Sequence, residues 1–498
     1  MGLGRRIAGI DMNDLRAIID IGSNTVRLVI YGGPPRVPVV LHNEKVTSRL
    51  GKGLVPGGKL GGKAMRTALA ALARYAVLLR LKGVTNVETV ATAAVRDAGN
   101  GAAFLEQVAA LGLSPRLLSG EEEAVASAQG VMAAFPGASG VVGDLGGGSL
   151  ELTHIDHDQC EHGSTMPLGM LRMAELRAEG QAMFADSVEQ ELSAVDWSGR
   201  HTQPFYLVGG AWRALGRYAM KQQGWPIDDP HGFELSPEDA LQLARTIGRG
   251  KLVSDGYGMS QSRFAGLPDA AALLGVLVQK LAPSRLVFSA WGLREGLLFR
   301  QLDKPAQGQD PLMAGVAAFC DRQGAAPAEA AMVTGWTAGA SPIAGTGSQR
   351  LRLAISMLAL ASLRVEPNMR ASQATDWSLR KRWLGIDAEG RAMMAAALIA
   401  NTGRTQVPES LRLLASESAL HEAVAWGLAI RLCRRFSGTT THALACSALS
   451  QRDGQLVLQV RAPYHALCTD LVEKDLRVAA EWLGLVPVLQ RVNANSEL

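Results

Sequence analysis

The chain has 498 residues, 47% of them hydrophobic and 19% charged, with a formal net charge of only +4. That length allows about two to four domains with packed cores, and the near-balance of charge excludes a bulk polycation of the histone type. No apolar run reaches the length of a membrane span. The first stretch, "MGLGRRIAGIDMN" (residues 1–13), carries a basic pair but no apolar core of a secretory signal, and is read as a loose lead-in. Cys160, Cys320, Cys433, Cys446 and Cys468 are scattered without metal-type spacing, as expected of reduced thiols in a cytoplasm.

In chain order, "LRAIIDIG" (Leu15–Gly22) is an apolar run ending in Asp20-Ile21-Gly22, and "TVRLVIYGG" (Thr25–Gly33) alternates. Two such runs around Ser23-Asn24 predict a hairpin. "VPVVLHNEKVTSRL" offers a third strand. Gly61–Lys82 has helical spacing through Met65, Leu69, Leu72, Tyr75 and Leu79, with basic residues on the remaining face. "NVETVATAA" predicts a strand, "GAAFLEQVAALG" a helix ended by glycine, and "SPRLLS" a short strand. "EEEAVASAQGVMAAF" predicts a helix whose acids suit the positive end of its dipole. The order is β-β-β-α-β-α-β-α. Between Arg36 and Lys82 stand ten Lys or Arg residues and one acid, Glu44. This is either a solvated basic face or a positive wall for a polyanion.

At Gly140 the order restarts. "GVVGDLGGGSLELTHIDHDQ" repeats the strand–turn–strand, and "CEHGSTMPL" is its third strand. A helix follows over Gly169–Ala194, then the strand "PFYLVGG", the helix "AWRALGRYAM", helical segments from Ser236 to Leu281, the strand "SRLVFSA" and the helix "LREGLLFR". Asp20 and Asp144 fall at equivalent points, 124 positions apart. The repeat predicts two α/β domains, 14–136 and 137–300, facing each other across a cleft into which each pushes one glycine hairpin. A linker over 301–312 leads to a mostly helical domain, 313–498, whose bases are mostly Arg. Arg431, Arg434 and Arg435 share one helix face, either solvated or suited to forked phosphate contacts. The chain closes with a hairpin around Asp453-Gly454, a helix near Leu471–Leu485 and the strand "VPVLQRV", a small α+β end.

The stretch "GDLGGGSLEL" (Gly143–Leu152) carries most of the chemistry. It is either a plain hairpin or a turn whose backbone lies against phosphate. N–H groups at a tight glycine turn converge on anionic oxygens, and side chains would obstruct the approach. Asp20 and Asp144 precede the two turns. Two carboxylates facing a polyanion call for a cation between them, and Mg²⁺ suits, because it takes one or two carboxylates, waters and phosphate oxygens. Glu151, on the returning strand, is a further ligand through water. Arg96 and Arg27 offset phosphate charge. "SGEEEA" (Ser119–Ala124) reads as a capped helix start, Ser119 before Glu121, Glu122 and Glu123. It also falls at a strand end on the sheet edge that carries the Asp20 turn, where ligands of α/β sheets collect. A glutamate there, its pKa raised by neighbouring acids, can take a proton from a water attacking phosphate.

These segments resemble the exopolyphosphatase/guanosine pentaphosphate phosphohydrolase family, within the actin/hexokinase/Hsp70-type (ASKHA, ribonuclease H-like) fold group. The matching stretches are "IDIGSNTVRLVI", "EKVTSRLGKGL", "VATAAVRDAGN", "LLSGEEEAVASAQGV", "GDLGGGSLEL", "PLGMLR", "LVGGAWRAL" and "FSAWGLREGLL", in family order. The resemblance implies two actin-like domains and Mg²⁺-dependent hydrolysis of a terminal phosphoanhydride. It places the catalytic glutamate at Glu123, with Glu151 orienting water. It places metal ligands at Asp144 and Glu151, to which the position of Asp20 before the first turn adds a third. Substrate contacts are implied at Ser23, Asn24, Thr25, Arg96, Gly146, Gly147, Gly148, Ser149, Gly209 and Gly210. The implied partner is inorganic polyphosphate or guanosine penta- or tetraphosphate, with no nucleic acid and no membrane, in a homodimer. The basic stretches favour the polymer, degraded processively.

Two positions depart from the family: Ala211 replaces a threonine after Gly209-Gly210, and Leu150 a small polar residue. Long family members resemble HD-type phosphohydrolases in the third domain, with clustered histidines. Here only His421, His442 and His465 occur beyond Gln301, with no His-Asp pair. The domain is therefore expected to be a degenerate HD-like scaffold without a second metal-hydrolase site. His157-Asp158, in the second half, reads as a turn. A sugar or acetate-type kinase shares the double hairpin but needs an adenosine pocket, and a sensor would bind the same polyanions without turnover.

Overall fold

The structure is a computed structural model describing residues 6–7, 10–11, 15–54, 57–157, 159–195, 197, 202–250, 252, 258–340 and 346–494. Within the lead-in, β1 (Arg6–Ile7) pairs antiparallel with β2 (Ile10–Asp11). The rest of residues 1–13, and Asp158 of the expected turn, lie outside the described residues. The chain divides into two compact units. One comprises Met1–Gly224 and Asp229–Pro311, the other Trp225–Asp228 and Leu312–Leu498.

The first unit opens with β3 (Arg16–Ile21), β4 (Thr25–Gly32), β5 (Val39–Thr47), α1 (Gly62–Leu81), β6 (Asn86–Ala91), α2 (Ala93–Arg96), α3 (Gly101–Ala109), β7 (Pro115–Leu117) and α4 (Gly120–Ala134). The strands form one sheet in the order β5-β4-β3-β6-β7, antiparallel on the β4–β5 side and parallel on the β6–β7 side. The plan then repeats: β8 (Ser139–Leu145), β9 (Leu150–Asp156), β10 (Gln159–Met166), α5 (Met170–Ala178), α6 (Gln181–Ala194), β11 (Phe205–Val208), α7 (Gly210–Gln222), β12 (Glu234–Leu235), α8 (Pro237–Gly248), α9 (Gln261–Ala265), α10 (Leu267–Leu281), β13 (Leu286–Phe288) and α11 (Leu293–Phe299). Its sheet runs β10-β9-β8-β11-β13-β12. Strands β8, β9, β10, β11 and β13 thus match β3, β4, β5, β6 and β7. The short β12 is an added antiparallel edge that the sequence pattern did not signal. This is the doubled, actin-like α/β arrangement. The single helix expected over Gly169–Ala194 is two, because Gly180, at φ 104, breaks it between α5 and α6.

Burial explains the layering. Alternate residues of β3 face opposite ways. Ala17, Ile19 and Ile21 pack with Leu72, Tyr75 and Phe104 of α1 and α3, whereas Ile18 packs with Ala126 of α4 and Leu297 of α11. Helix α4 also turns Ala128 and Val131 toward Val142, Tyr206 and Val208 of the second sheet. One helix made mostly of small residues is therefore shared by the cores of both halves. Its start is fixed by a capping box: the Glu122 N–H donates to Ser119 Oγ at 3.1 Å, and the Ser119 N–H to Glu122 Oε2 at 2.8 Å.

The second unit is mainly helical. Ala388–Ala400, buried from Gly390 to its end, packs on Glu417–Ser437. The expected hairpin is present: β14 (Ser447–Arg452) and β15 (Gln455–Arg461) join antiparallel, with Asp453 at φ 48 in the turn. Strand β16 (Val486–Val492) adds parallel to β15, and Asp470–Trp482 is the last helix. The shared face of Arg431, Arg434 and Arg435 is a structural feature rather than a free track. Arg431 and Arg435 both bind the buried Asp475, and Arg434 donates to Asn401 Oδ1 at 2.6 Å. The histidines are committed to packing. His421 stacks on Trp482, His442 lies against Tyr464, and His465 contacts the Val460 and Val492 carbonyls.

Candidate active site

The two glycine turns are built alike. The Gly22 N–H donates to the Thr25 carbonyl at 3.0 Å, and the Gly146 N–H to the Ser149 carbonyl at 3.0 Å. Asp20 stands opposite Arg27 in register and Asp144 opposite Glu151, so the repeat carries a base where its copy carries an acid. The turns meet across the cleft. A Cβ on Gly148 would lie 2.6 Å from Ser23 Oγ, so a side chain there would displace the Ser23 hydroxyl. The Met170 and Leu171 N–H groups, at the start of α5, donate to the Gly146 and Gly147 carbonyls at 3.1 and 2.9 Å. Gly209, at φ 120, follows β11 as the N-cap of α7, and Gly210 opens that helix, so a helix N-terminus faces the same space.

The acids converge from four elements, β3, α4, β8 and β9. Glu123 comes from the first turn of α4 and is 9% exposed. Burial pushes its carboxyl up to about 7. Arg96, whose Nη1 donates to Glu123 Oε2 at 3.2 Å, opposes the rise, and Asp144 and Asp20 add to it. Burial likewise raises Asp144, against the Ser127 hydroxyl and Arg213, with Asp20 adding to the rise. Burial raises Asp20 too, against Arg294 and Arg27. Glu151 is pushed well above the usual carboxylate range by burial and by Glu123 and Asp144, although Ser149 and Thr165 both hydrogen-bond to it. The Thr165 hydroxyl donates to Glu151 Oε1 at 3.1 Å.

These groups line a cleft of about 510 Å³ together with Ser23, Asn24, Thr25, Gly146, Gly147, Gly148, Ser149, Gly209 and Gly210. Arg96 does not line it. That arginine contacts Glu123 and the Leu118 carbonyl, which places it to orient the acid. Asp20, Asp144 and Glu151 do not make a preformed cage: among the described residues no group of three or more His, Cys, Asp or Glu could hold a metal ion. Asp20 and Asp144 stand near the ends of β3 and β8, each just before its glycine turn, and both line the cleft. Leu150 is fully buried in the core beneath the turn, and Ala211 lines the cleft.

The cleft wall takes Lys45 and Arg49 from the basic stretch, and the structure adds cations that sequence reasoning missed: Arg213, Arg263 and Arg294 join Arg27 there. Lys45 lies directly across from Arg27 on the β4–β5 pair. Two cations in register repel each other. The pKa of Arg27 is lowered by burial, Arg294 and Arg263, although Asp20 and Glu295 oppose this. That of Lys45 is lowered by burial, Arg263 and Arg27. Burial works against the charge of Arg294, but Glu295, Tyr31, Asp20 and Asp144 outweigh it and hold the guanidinium protonated. Such a wall is built to meet an anion. Of the basic stretch, Arg36 is instead buried, donating to the Gln309 carbonyl at 3.0 Å and lying over the Phe299 ring, and Arg74 pairs with Glu44 at 2.8 Å.

A family model described as the Ppx/GppA phosphatase family matches residues 29–305. Exopolyphosphatase 1 of Mycobacterium leprae is 27% identical over 321 residues, covering 58% of this chain and 90% of its own length. Exopolyphosphatase 2 of Mycobacterium tuberculosis is 33% identical over 171 residues, covering 32% of this chain and 53% of its own. A crystal structure of an exopolyphosphatase from Cytophaga hutchinsonii superposes with a TM-score of 0.51 at 23% identity, covering 58% of this chain and 97% of that one, and supports the fold. The model spans more than half of the chain, and its interval holds Glu123, Asp144 and Glu151 with most of the cleft wall, so the chain belongs to the Ppx/GppA phosphatase family.

Proposed function

We propose that this protein is an exopolyphosphatase, hydrolysing the terminal phosphoanhydride of inorganic polyphosphate to release orthophosphate with Mg²⁺. The observation that carries the reading is the cleft itself: a wall of cations facing a buried glutamate whose carboxyl sits near neutrality. The cations neutralise the terminal phosphates, and the two glycine turns place backbone N–H groups beside them. Arg96 occupies Glu123 Oε2, which leaves Oε1 for water. Glu123 takes a proton from that water as its oxygen bonds to the terminal phosphorus and the bridging P–O bond breaks. A carboxyl near neutrality is matched to that task. Phosphoryl transfer asks mainly for positioning and charge neutralisation, and the site offers both.

Asp20 and Asp144 fit a divalent cation, because both are pushed toward their acid forms by burial, and Asp144 further by Asp20, a conflict that positive charge relieves. When bound, Mg²⁺ would neutralise charge on the phosphoryl oxygens. The test is phosphate release from long polyphosphate and, in parallel, from guanosine pentaphosphate. Faster release from the polymer supports the reading. Turnover of the nucleotide alone would make the protein an alarmone phosphatase, and ATP-dependent phosphorylation of a small acceptor would make it a kinase.

A further inference from the structure

Helix α4 carries a serine that the reaction outlined above does not use. Ser127, one turn beyond Glu123, is fully buried, and its hydroxyl donates to Asp144 Oδ2 at 2.5 Å. A serine or threonine inside a helix ordinarily gives its proton to the carbonyl four residues back. Thr67, Ser187, Thr246, Thr334 and Ser437 all do so in this protein. Ser127 forgoes the local partner and gives its one proton to a carboxyl on a neighbouring strand.

The surroundings hold the pair in place. Gly292 closes over it: a Cβ there would lie 3.2 Å from Ser127 Oγ and 3.6 Å from Asp144 Oδ2. Helix α4 is fixed by backbone contact with the start of α11. A Cβ on Gly130 would lie 2.2 Å from the Gly292 carbonyl oxygen, and one on Gly296 1.7 Å from that of Ala126. The helix that bears Glu123 therefore cannot slide without carrying Ser127 off Asp144.

We propose that Ser127 is a positioning residue. By binding Oδ2 it fixes the plane of the Asp144 carboxyl, leaves Oδ1 as the oxygen for a divalent cation, and ties that carboxyl to the helix carrying Glu123. The inference rests on the reading of Asp144 as a cation-holding residue. Outer partners of this kind commonly change metal affinity or activity by about 10–100-fold.

The test uses the full chain without substrate, with Mn²⁺ as the probe and free Mn²⁺ followed by electron paramagnetic resonance. Ser127→Ala should bind Mn²⁺ about tenfold more weakly. Its kcat should fall by about the same factor while KM for polyphosphate stays within about twofold, because the cation wall is untouched. Ser127→Cys, of similar volume but a weak donor, should behave as Ser127→Ala does. Parent-like Mn²⁺ binding and kcat in both variants overturn the proposal. So does a parent-like Cys variant beside an impaired Ala variant, which would assign the effect to volume. So does a lowered melting temperature with Mn²⁺ binding unchanged, which would make the bond merely structural. Asp144→Asn separates the two levels: if it loses Mn²⁺ while both Ser127 variants keep it, this inference alone fails, and if it too binds normally, the cation reading fails.

Discussion

Replacing Glu123 with Gln should make the first unit more stable as well as inactive. Glu123 is 9% exposed, and burial raises its carboxyl from 4.5 to about 7. The folded protein therefore keeps the proton more tightly than the unfolded chain. The contribution of this group to stability is full below about pH 4.5 and is lost as pH rises through about 7. A rise of that size corresponds to about 3 kcal/mol at neutral pH and above. Glutamine takes no charge, so Glu123→Gln escapes the loss. Its amide oxygen can still accept from Arg96, and weakening of that bond offsets about 1 kcal/mol. The net expectation is a gain of about 2 kcal/mol at about pH 8, shrinking toward zero at about pH 5. Hydrogen exchange at the backbone amides of α4, measured without substrate or divalent ions, reads the first unit by itself. Protection should rise by about 30-fold at the higher pH, since 1.4 kcal/mol is about tenfold. Equal protection in the two proteins at about pH 8, or a larger gap at about pH 5, would refute the reasoning.

Other outcomes follow from the same geometry. Turnover in the parent should rise with pH through about 7, as Glu123 ionises. Arg96→Ala removes the cation that holds Glu123 down, so the acid limb of the pH–rate profile should move up by about one pH unit, while KM changes little. Gly148→Ala places a Cβ 2.6 Å from Ser23 Oγ; phosphate release should fall by about tenfold or more, with about 1–3 kcal/mol lost in unfolding. In the second unit, Asp475→Asn leaves Arg431 and Arg435 without their carboxylate. Unfolding of that unit, followed by exchange in Glu417–Ser437, should become easier by about 2 kcal/mol.

What the sequence reveals about the site, and what it hides, has a physical cause. The turns at Gly22–Thr25 and Gly146–Ser149 are local: glycine, small polar residues and flanking apolar runs lie within a few positions, so their repeat can be read directly. Glu123 is legible for the same reason, because the Ser119–Glu122 capping box fixes where α4 begins. Arg213, Arg263 and Arg294 are different. They reach the cleft through helix packing, which no spacing rule encodes. Charge misleads in the same way. Arg36 and Arg431 look like surface bases in the sequence. The structure shows one over the Phe299 ring and bonded to the Gln309 carbonyl and the other on Asp475, because a buried arginine is specified by its partner and not by its neighbours in the chain. The break between α5 and α6 turns on a single residue, Gly180, inside an otherwise helical pattern.

The most direct test of the central claim is phosphate release from long polyphosphate with Mg²⁺, by the parent and by Glu123→Gln side by side, with guanosine pentaphosphate as the comparison. The account predicts rapid release from the polymer by the parent and a loss of about 100-fold or more in the variant, in the range expected for a missing general base. Near-normal release by Glu123→Gln would remove Glu123 as the base, and release from neither substrate by the parent would contradict the assignment of the cleft as a phosphoanhydride hydrolase.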